Sequence, residues 1–143
     1  MLPFDVEITS GESAYRQIVY AATKAIVSGE LLPGVPFPSV RVISQALKVN
    51  PNTAQKAVGE LIREGLLEVQ PGVGTLVAQW GPASPKERSA LLHGDLERLI
   101  VESRRLGLSI QELEAALRER WDELFGSEGR PGPALEADDE VTA

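Results

Sequence analysis

Apolar residues recur along this chain first at helical spacing and then, over a short stretch, at the spacing of strands. Tyr15, Ile18, Val19, Ala22 and Ile26 predict a helix from residue 9 or 10 to residue 28, opened by a Thr9/Glu12 capping box and ended by Gly29. The eight residues before it read as an extended arm. Three prolines and a glycine within residues 32–38 demand a loop. Ser39 then caps a second helix whose Val40, Ile43 and Leu47 form an inward stripe. A third helix, 51–63, presents Ala54, Ala57, Val58, Leu61 and Ile62 inward, and Gly65 closes it. Residues 66–70, 71–74 and 75–78 read as strand, tight turn and returning strand.

After a Gly/Pro/Ser linker at 81–85 the pattern becomes purely helical. Residues 86–106 place Leu92, Leu96, Leu99, Ile100 and Leu106 on most of one stripe, with Gly94 inside it costing about 1 kcal/mol relative to alanine. Gly107 stops this run. Ser109 and Glu112 then make a capping box, Leu108 and Leu113 are spaced for a hydrophobic staple, and Ile110, Leu113, Leu117, Trp121 and Leu124 line the final helix. Two such short amphipathic helices cannot bury their stripes alone and must pack on a second copy of the chain or on the first domain, of which the second copy is the simpler cover. The residues assigned to that dimer seam are Leu92, Leu96, Leu99, Ile100, Leu113, Leu117, Trp121 and Leu124. Residues 126–143, rich in Gly, Pro and acid, read as a disordered tail.

The expected fold is therefore α+β: a winged helix-turn-helix domain over 9–80, made of three helices and a β-hairpin, then the 81–85 linker and a two-helix dimerisation region over 86–125. The chemistry concentrates where the second helix gives way to the third. Asn50 can cap the third helix and Pro51 suits its first position, where a backbone donor has no partner. The next turn carries Asn52, Thr53, Gln55 and Lys56, amides, a hydroxyl and an ammonium that suit base edges and phosphates. Sequence-specific binding of double-stranded DNA is the function this pattern implies.

Charge at first opposes that reading, because the chain carries a net −7 and phosphate contacts need a basic surface. The distribution answers it. Residues 1–80 hold six Lys and Arg against seven Asp and Glu, a net of −1, whereas residues 81–143 hold eight against fourteen, a net of −6. Arg41, Lys48 and Lys56 surround the turn, while Glu60, Glu64 and Glu68 lie beyond it. No apolar run reaches membrane-span length and the start lacks a secretion-signal pattern, so a cytoplasmic protein without membrane contact is expected. With no cysteine and one histidine, neither disulfides nor a thiolate or His-based metal site can form.

Tyr15-Arg16-Gln17-Ile18, Ser28-Gly29-Glu30-Leu31-Leu32-Pro33-Gly34, Pro38-Ser39-Val40-Arg41, Asn50-Pro51-Asn52-Thr53, Glu64-Gly65-Leu66-Leu67 and Gly72-Val73-Gly74-Thr75-Leu76-Val77 occur in that order. Together these blocks resemble the DNA-binding domain of the GntR family of bacterial transcription regulators over about residues 10–80. The Asn-Pro-Asn-Thr turn and the small two-helix second part resemble its YtrA subfamily, which implies a dimeric repressor, often of a membrane-transporter operon, reading an inverted repeat. The resemblance implies DNA contacts from Arg41, Asn50, Asn52, Thr53, Gln55 and Gly72, and Ser39, Lys56 and Thr75 join them as candidate DNA-binding residues. Arg41 would act from the second helix and Gly72 at the tip of a wing reaching a minor groove. Gln55 and Val73 stand where many relatives carry basic residues.

Each feature also has a plainer reading. Asn50 serves as a cap whether or not it touches a base. Gly72-Val73-Gly74-Thr75 lacks the Gly-Lys-Ser/Thr ending of a phosphate loop and leads into a strand, so a hairpin turn fits better. His93 reads as a surface or interface residue. No clustered catalytic set suggests an enzyme and no cofactor is implied. A small-molecule effector fits the architecture, although no residue set identifies its chemistry. The competing function is a winged-helix module that docks protein through its acidic second half.

Overall fold

In the computed structural model, which describes residues 2–126, Ser13 rather than Thr9 starts the first helix. Its hydroxyl accepts the Arg16 N–H at 3.3 Å and caps α1 (Ala14–Val27). The Thr9/Glu12 capping box does not form, because Gly11 takes φ +100° and Gln17 captures the backbone of the turn instead. The Gln17 amide accepts from Thr9 N–H at 2.9 Å and donates to the carbonyls of Thr9 and Glu12 at 2.8 and 2.9 Å. The first residues, expected as an extended arm, lie against the core. Phe4 is buried and its ring stacks on Phe37 at 5.5 Å, while Leu2, Val6 and Ile8 pack partly on the same core.

The chain divides into two compact units, Met1–Trp80 and Gly81–Ala143. In the first, α1, α2 (Val40–Leu47) and α3 (Pro51–Arg63) precede a two-stranded antiparallel sheet, β1 (Leu67–Gln70) and β2 (Gly74–Val77), with Leu67 opposite Val77 and Gln70 opposite Gly74. The sheet is extended by the proline-rich loop, which is more than a connection. Pro36 bridges to Leu76, the N–H groups of Gly34 and Phe37 donate to the carbonyls of Val77 and Thr75 at 2.8 Å, and Val77 N–H donates to Val35 at 2.9 Å. These bonds occupy the outer edge of β2, which would otherwise offer unpaired backbone groups to another chain.

α3 packs against α1, α2 and β1. Ala22 and Ala25 of α1 and Ala54 and Ala57 of α3 are all buried, and such small residues let packed helices approach closely. Ile18, Ile26, Ile43, Leu61, Leu67 and Val77 fill the centre. Each contributes about 1.5–3 kcal/mol by leaving water. Ile62, expected inward, is 37 % exposed, because the stripe of α3 runs through Ala54, Ala57, Val58 and Leu61 and leaves its neighbour at the rim.

The second unit starts with Ser84 capping α4 (Pro85–Ala90), its hydroxyl accepting Glu87 N–H at 3.2 Å. The expected uninterrupted α-helix over 86–106 is broken by a π-helical turn, Leu91–Asp95, before α5 (Leu96–Arg105). Leu96 N–H reaches back to the Leu91 carbonyl, so this turn holds one residue more than an α-turn and rotates the apolar positions before it relative to those after it. Gly94 lies inside it. Gly107, at φ +82°, ends the run, and Leu108 N–H closes on the Ser103 carbonyl at 2.9 Å. α6 (Ile110–Phe125) opens with the full capping box: Glu112 N–H to the Ser109 hydroxyl at 3.1 Å, and Ser109 N–H to the Glu112 carboxylate at 2.7 Å. No described helix is long and apolar enough to cross a membrane. Beyond Gly126 the expected acidic tail lies outside the described residues.

Candidate nucleic-acid interface

The corner between α2 and α3 is made by a lysine in a glycine-like conformation. Lys48 sits at φ 56°, ψ 45°, and among the described residues no other non-glycine has positive φ. A left-handed residue with a side chain costs about 1–2 kcal/mol, so the surrounding packing must hold it. Ile43 and Ser44 are buried on one side, Val49 packs partly on the core on the other, and the N–H groups of Lys48 and Val49 both donate to the Ser44 carbonyl. Asn50 then caps α3: its side-chain oxygen accepts Asn52 N–H at 2.8 Å and its carbonyl accepts from Thr53 and Ala54. Pro51 occupies the start of the helix, as expected.

α3 thus has one face sunk in the core and a first turn facing outward. Asn52, Gln55 and Lys56 are exposed and Thr53 is half-buried. Arg41 is exposed on α2, and Ser39 caps that helix by accepting Val42 N–H at 3.2 Å. A side chain spent on a cap has less freedom to meet a ligand, so Ser39 and Asn50 have structural work wherever else they reach.

Further along α3 the charges neutralise one another. Arg63 donates to Glu60 through Nε at 3.0 Å and through Nη2 in a shorter contact. The hydrogen bond from Arg63 holds the Glu60 carboxyl below its ordinary range, and the same bond raises Arg63. Glu64 moves the other way, pushed up first by loss of solvation and then by the nearby Glu60 charge. The acidic end of α3 is therefore turned on itself, and its cationic beginning stays available.

α1 supplies residues to this corner that sequence reasoning did not place there. Ser13, Ala14, Tyr15 and Arg16 line one groove together with Asn52, Thr53 and Lys56, and the Lys56 ammonium lies 4.3 Å from the centroid of the Tyr15 ring. The signal was present but ambiguous: Tyr15 fits the apolar period of α1, and its amphipathic ring can belong to a core margin or to a polar site.

The wing forms as a short hairpin. Val73 N–H donates to Gln70 at 3.0 Å, Gly72 sits at φ +80°, and the Val73 side chain is 67 % exposed at the tip. Thr75 is half-buried on β2. In the second unit Leu92, Leu96, Leu99, Ile100, Leu117 and Trp121 are exposed, whereas Leu113 and Leu124 are half-buried. Trp121 meets Phe125 edge to face at 5.1 Å. Among the described residues of this unit only Ser103 is buried.

Residues 14–77 match the model of the gntR family of bacterial regulatory proteins. The chain is 34 % identical over 109 residues to the uncharacterized HTH-type transcriptional regulator YhcF of Bacillus subtilis, covering 76 % of this chain and 90 % of that protein. It is 29 % identical over 115 residues to the HTH-type transcriptional repressor YtrA of the same organism, covering 80 % and 88 %. A crystal structure described as a transcriptional antiterminator from Listeria monocytogenes superposes with a TM-score of 0.77 at 30 % identity, over 90 % of this chain and 97 % of that one. The chain accordingly belongs to the gntR family of bacterial regulatory proteins, as a winged helix-turn-helix, DNA-binding transcription regulator of the YtrA-like kind.

Proposed function

We propose that this regulator is a cytoplasmic, dimeric repressor that reads an inverted-repeat operator, set before an operon for a membrane transporter. Each copy lays the start of α3 in a major groove, and the two grooves lie about 34–36 Å apart or at a multiple of that distance. Asn52, Thr53 and Gln55 face base edges, Asn50 orients them, and Arg41, Lys56 and Ser39 meet the backbone. Gly72 and Thr75 bring the wing to the neighbouring minor groove. The observation that carries this is the outward first turn of α3, polar and cationic, on a helix whose opposite face is fixed in the core. The relative named a repressor supports the direction of control.

Residues 86–125 act as the dimerisation region behind the 81–85 linker. Leu92, Leu96, Leu99, Ile100, Leu113, Leu117, Trp121 and Leu124 supply its seam, and the reading rests on the apolar exposure of those helices. A small-molecule effector belongs to the same scheme without an assigned site. The test is a gel shift against the protein's own promoter at several salt concentrations. One sequence with twofold symmetry should outcompete bulk DNA, and deletion of the gene should raise transcription of the adjoining transporter genes. If no sequence outcompetes bulk DNA, the proposal fails.

A further inference from the structure

Lys56 and Glu60 are one helical turn apart on α3, a spacing at which lysine and glutamate ordinarily pair. Here Glu60 is held by Arg63, and the Lys56 ammonium rests on the face of Tyr15 from α1 instead. A ring face attracts the cation without neutralising it, as a carboxylate would. The surrounding groove is lined by Ser13, Arg16, Asn52 and Thr53, none of them acidic. A lysine on its flexible four-carbon stem otherwise samples many rotamers and loses that freedom on binding. We infer that Tyr15 is a positioning residue for DNA binding: its ring fixes the Lys56 ammonium over the groove where a backbone phosphate of the duplex is to lie. The inference rests on the reading that α3 enters DNA, and it adds a residue outside the helix-turn-helix to that machinery. Tyr15 acts through Lys56 and makes no base contact, so its effect is the same on every sequence.

The test is a double-mutant cycle on the full-length protein, measured on the operator and on bulk duplex, alongside the Lys56 side-chain resonances. Tyr15→Phe keeps the ring and should bind as the wild type does. Tyr15→Leu removes it and should weaken binding about three- to fivefold at low salt, the scale of immobilising one rotamer-rich side chain on binding. In a Lys56→Gln background the same Tyr15→Leu change should have no further effect. The Lys56 Hε signals should lie upfield in the wild type and in Tyr15→Phe, and return to the position of free lysine in Tyr15→Leu. A fold defect in Tyr15→Leu would weaken binding equally in both backgrounds, and that result overturns the proposal. So does an unshifted Lys56 signal in the wild type. A phosphate contact carries no sequence information, so the two ideas fail separately. Loss of operator preference alone sinks the operator reading and leaves the coupling standing, whereas no coupling on either duplex removes Tyr15 from the interface.

Discussion

Leu61 and Leu117 each stand at the centre of an apolar helical stripe, yet the first is fully buried and the second is 61 % exposed. In the first unit the stripes of three helices meet a hairpin and a returning N-terminal segment, so the apolar surface is closed within one chain and the polar corner is left outside. The second unit also carries apolar stripes in its sequence, but Leu99, Ile100 and Trp121 remain open to solvent. Amphipathic spacing therefore says that a face seeks cover, and the number of elements within reach decides whether the chain supplies it. A three-helix unit with a wing can do so; two short helices cannot.

Core truncation breaks this contrast most severely. Leu61→Ala should cost about 2–5 kcal/mol in denaturant unfolding, while Leu117→Ala should leave the isolated chain's stability almost unchanged. Comparable losses at the two sites would mean that the second unit closes a core of its own. Trp121→Ala should instead weaken self-association by about 2 kcal/mol, as expected for a buried aromatic anchor at an interface, and sedimentation at micromolar concentration would show the shift toward monomer. A wild-type protein that stays monomeric there would contradict the dimer.

The polar corner sharpens the comparison with smaller effects. Arg41→Ala and Lys56→Ala should each weaken DNA binding, with Lys56→Ala acting alike on all sequences and lowering the salt slope by about 1. Arg63→Gln frees Glu60 to draw Lys56 away from Tyr15, so affinity should fall about two- to fourfold in fluorescence anisotropy without loss of stability, the size of one helix ion pair or cation–π contact. Glu64 gives the smallest change. Its carboxyl is raised by lost solvation and by Glu60, so the ionised form opposes folding, and that penalty appears as pH rises through the folded-state value. Glu64→Gln should then stabilise at neutral pH by no more than about 0.5 kcal/mol, given its exposure, and confer nothing near pH 4. An equal gain at both pH values would show that ionisation is not the cause.

Much of the fold was legible because its signals are local. Ser39, Asn50 and Ser109 cap the helices they were expected to cap, and Gly65 and Gly72 stand at turns that need positive φ. What escaped depends on contacts between distant residues. Gln17 overrides the Thr9 cap by reaching back to the turn backbone, and Phe4 finds Phe37 thirty-three positions later. The π-turn at Leu91–Asp95 is invisible to a stripe drawn at 3.6 residues per turn. At the corner, the residue types and their outward display were readable from Asn50 to Lys56. The partnership of Lys56 with Tyr15 was not, because only the packing of α1 on α3 brings them together.

Selection of preferred half-sites from a randomised duplex pool, run in parallel for the wild type, Asn52→Ala and Gln55→Ala, tests most directly whether the start of α3 reads bases. The enriched sequence should change at one or two positions in each variant while contacts elsewhere in the site persist. Identical enriched sequences for all three proteins, with only a uniform drop in affinity, would contradict it.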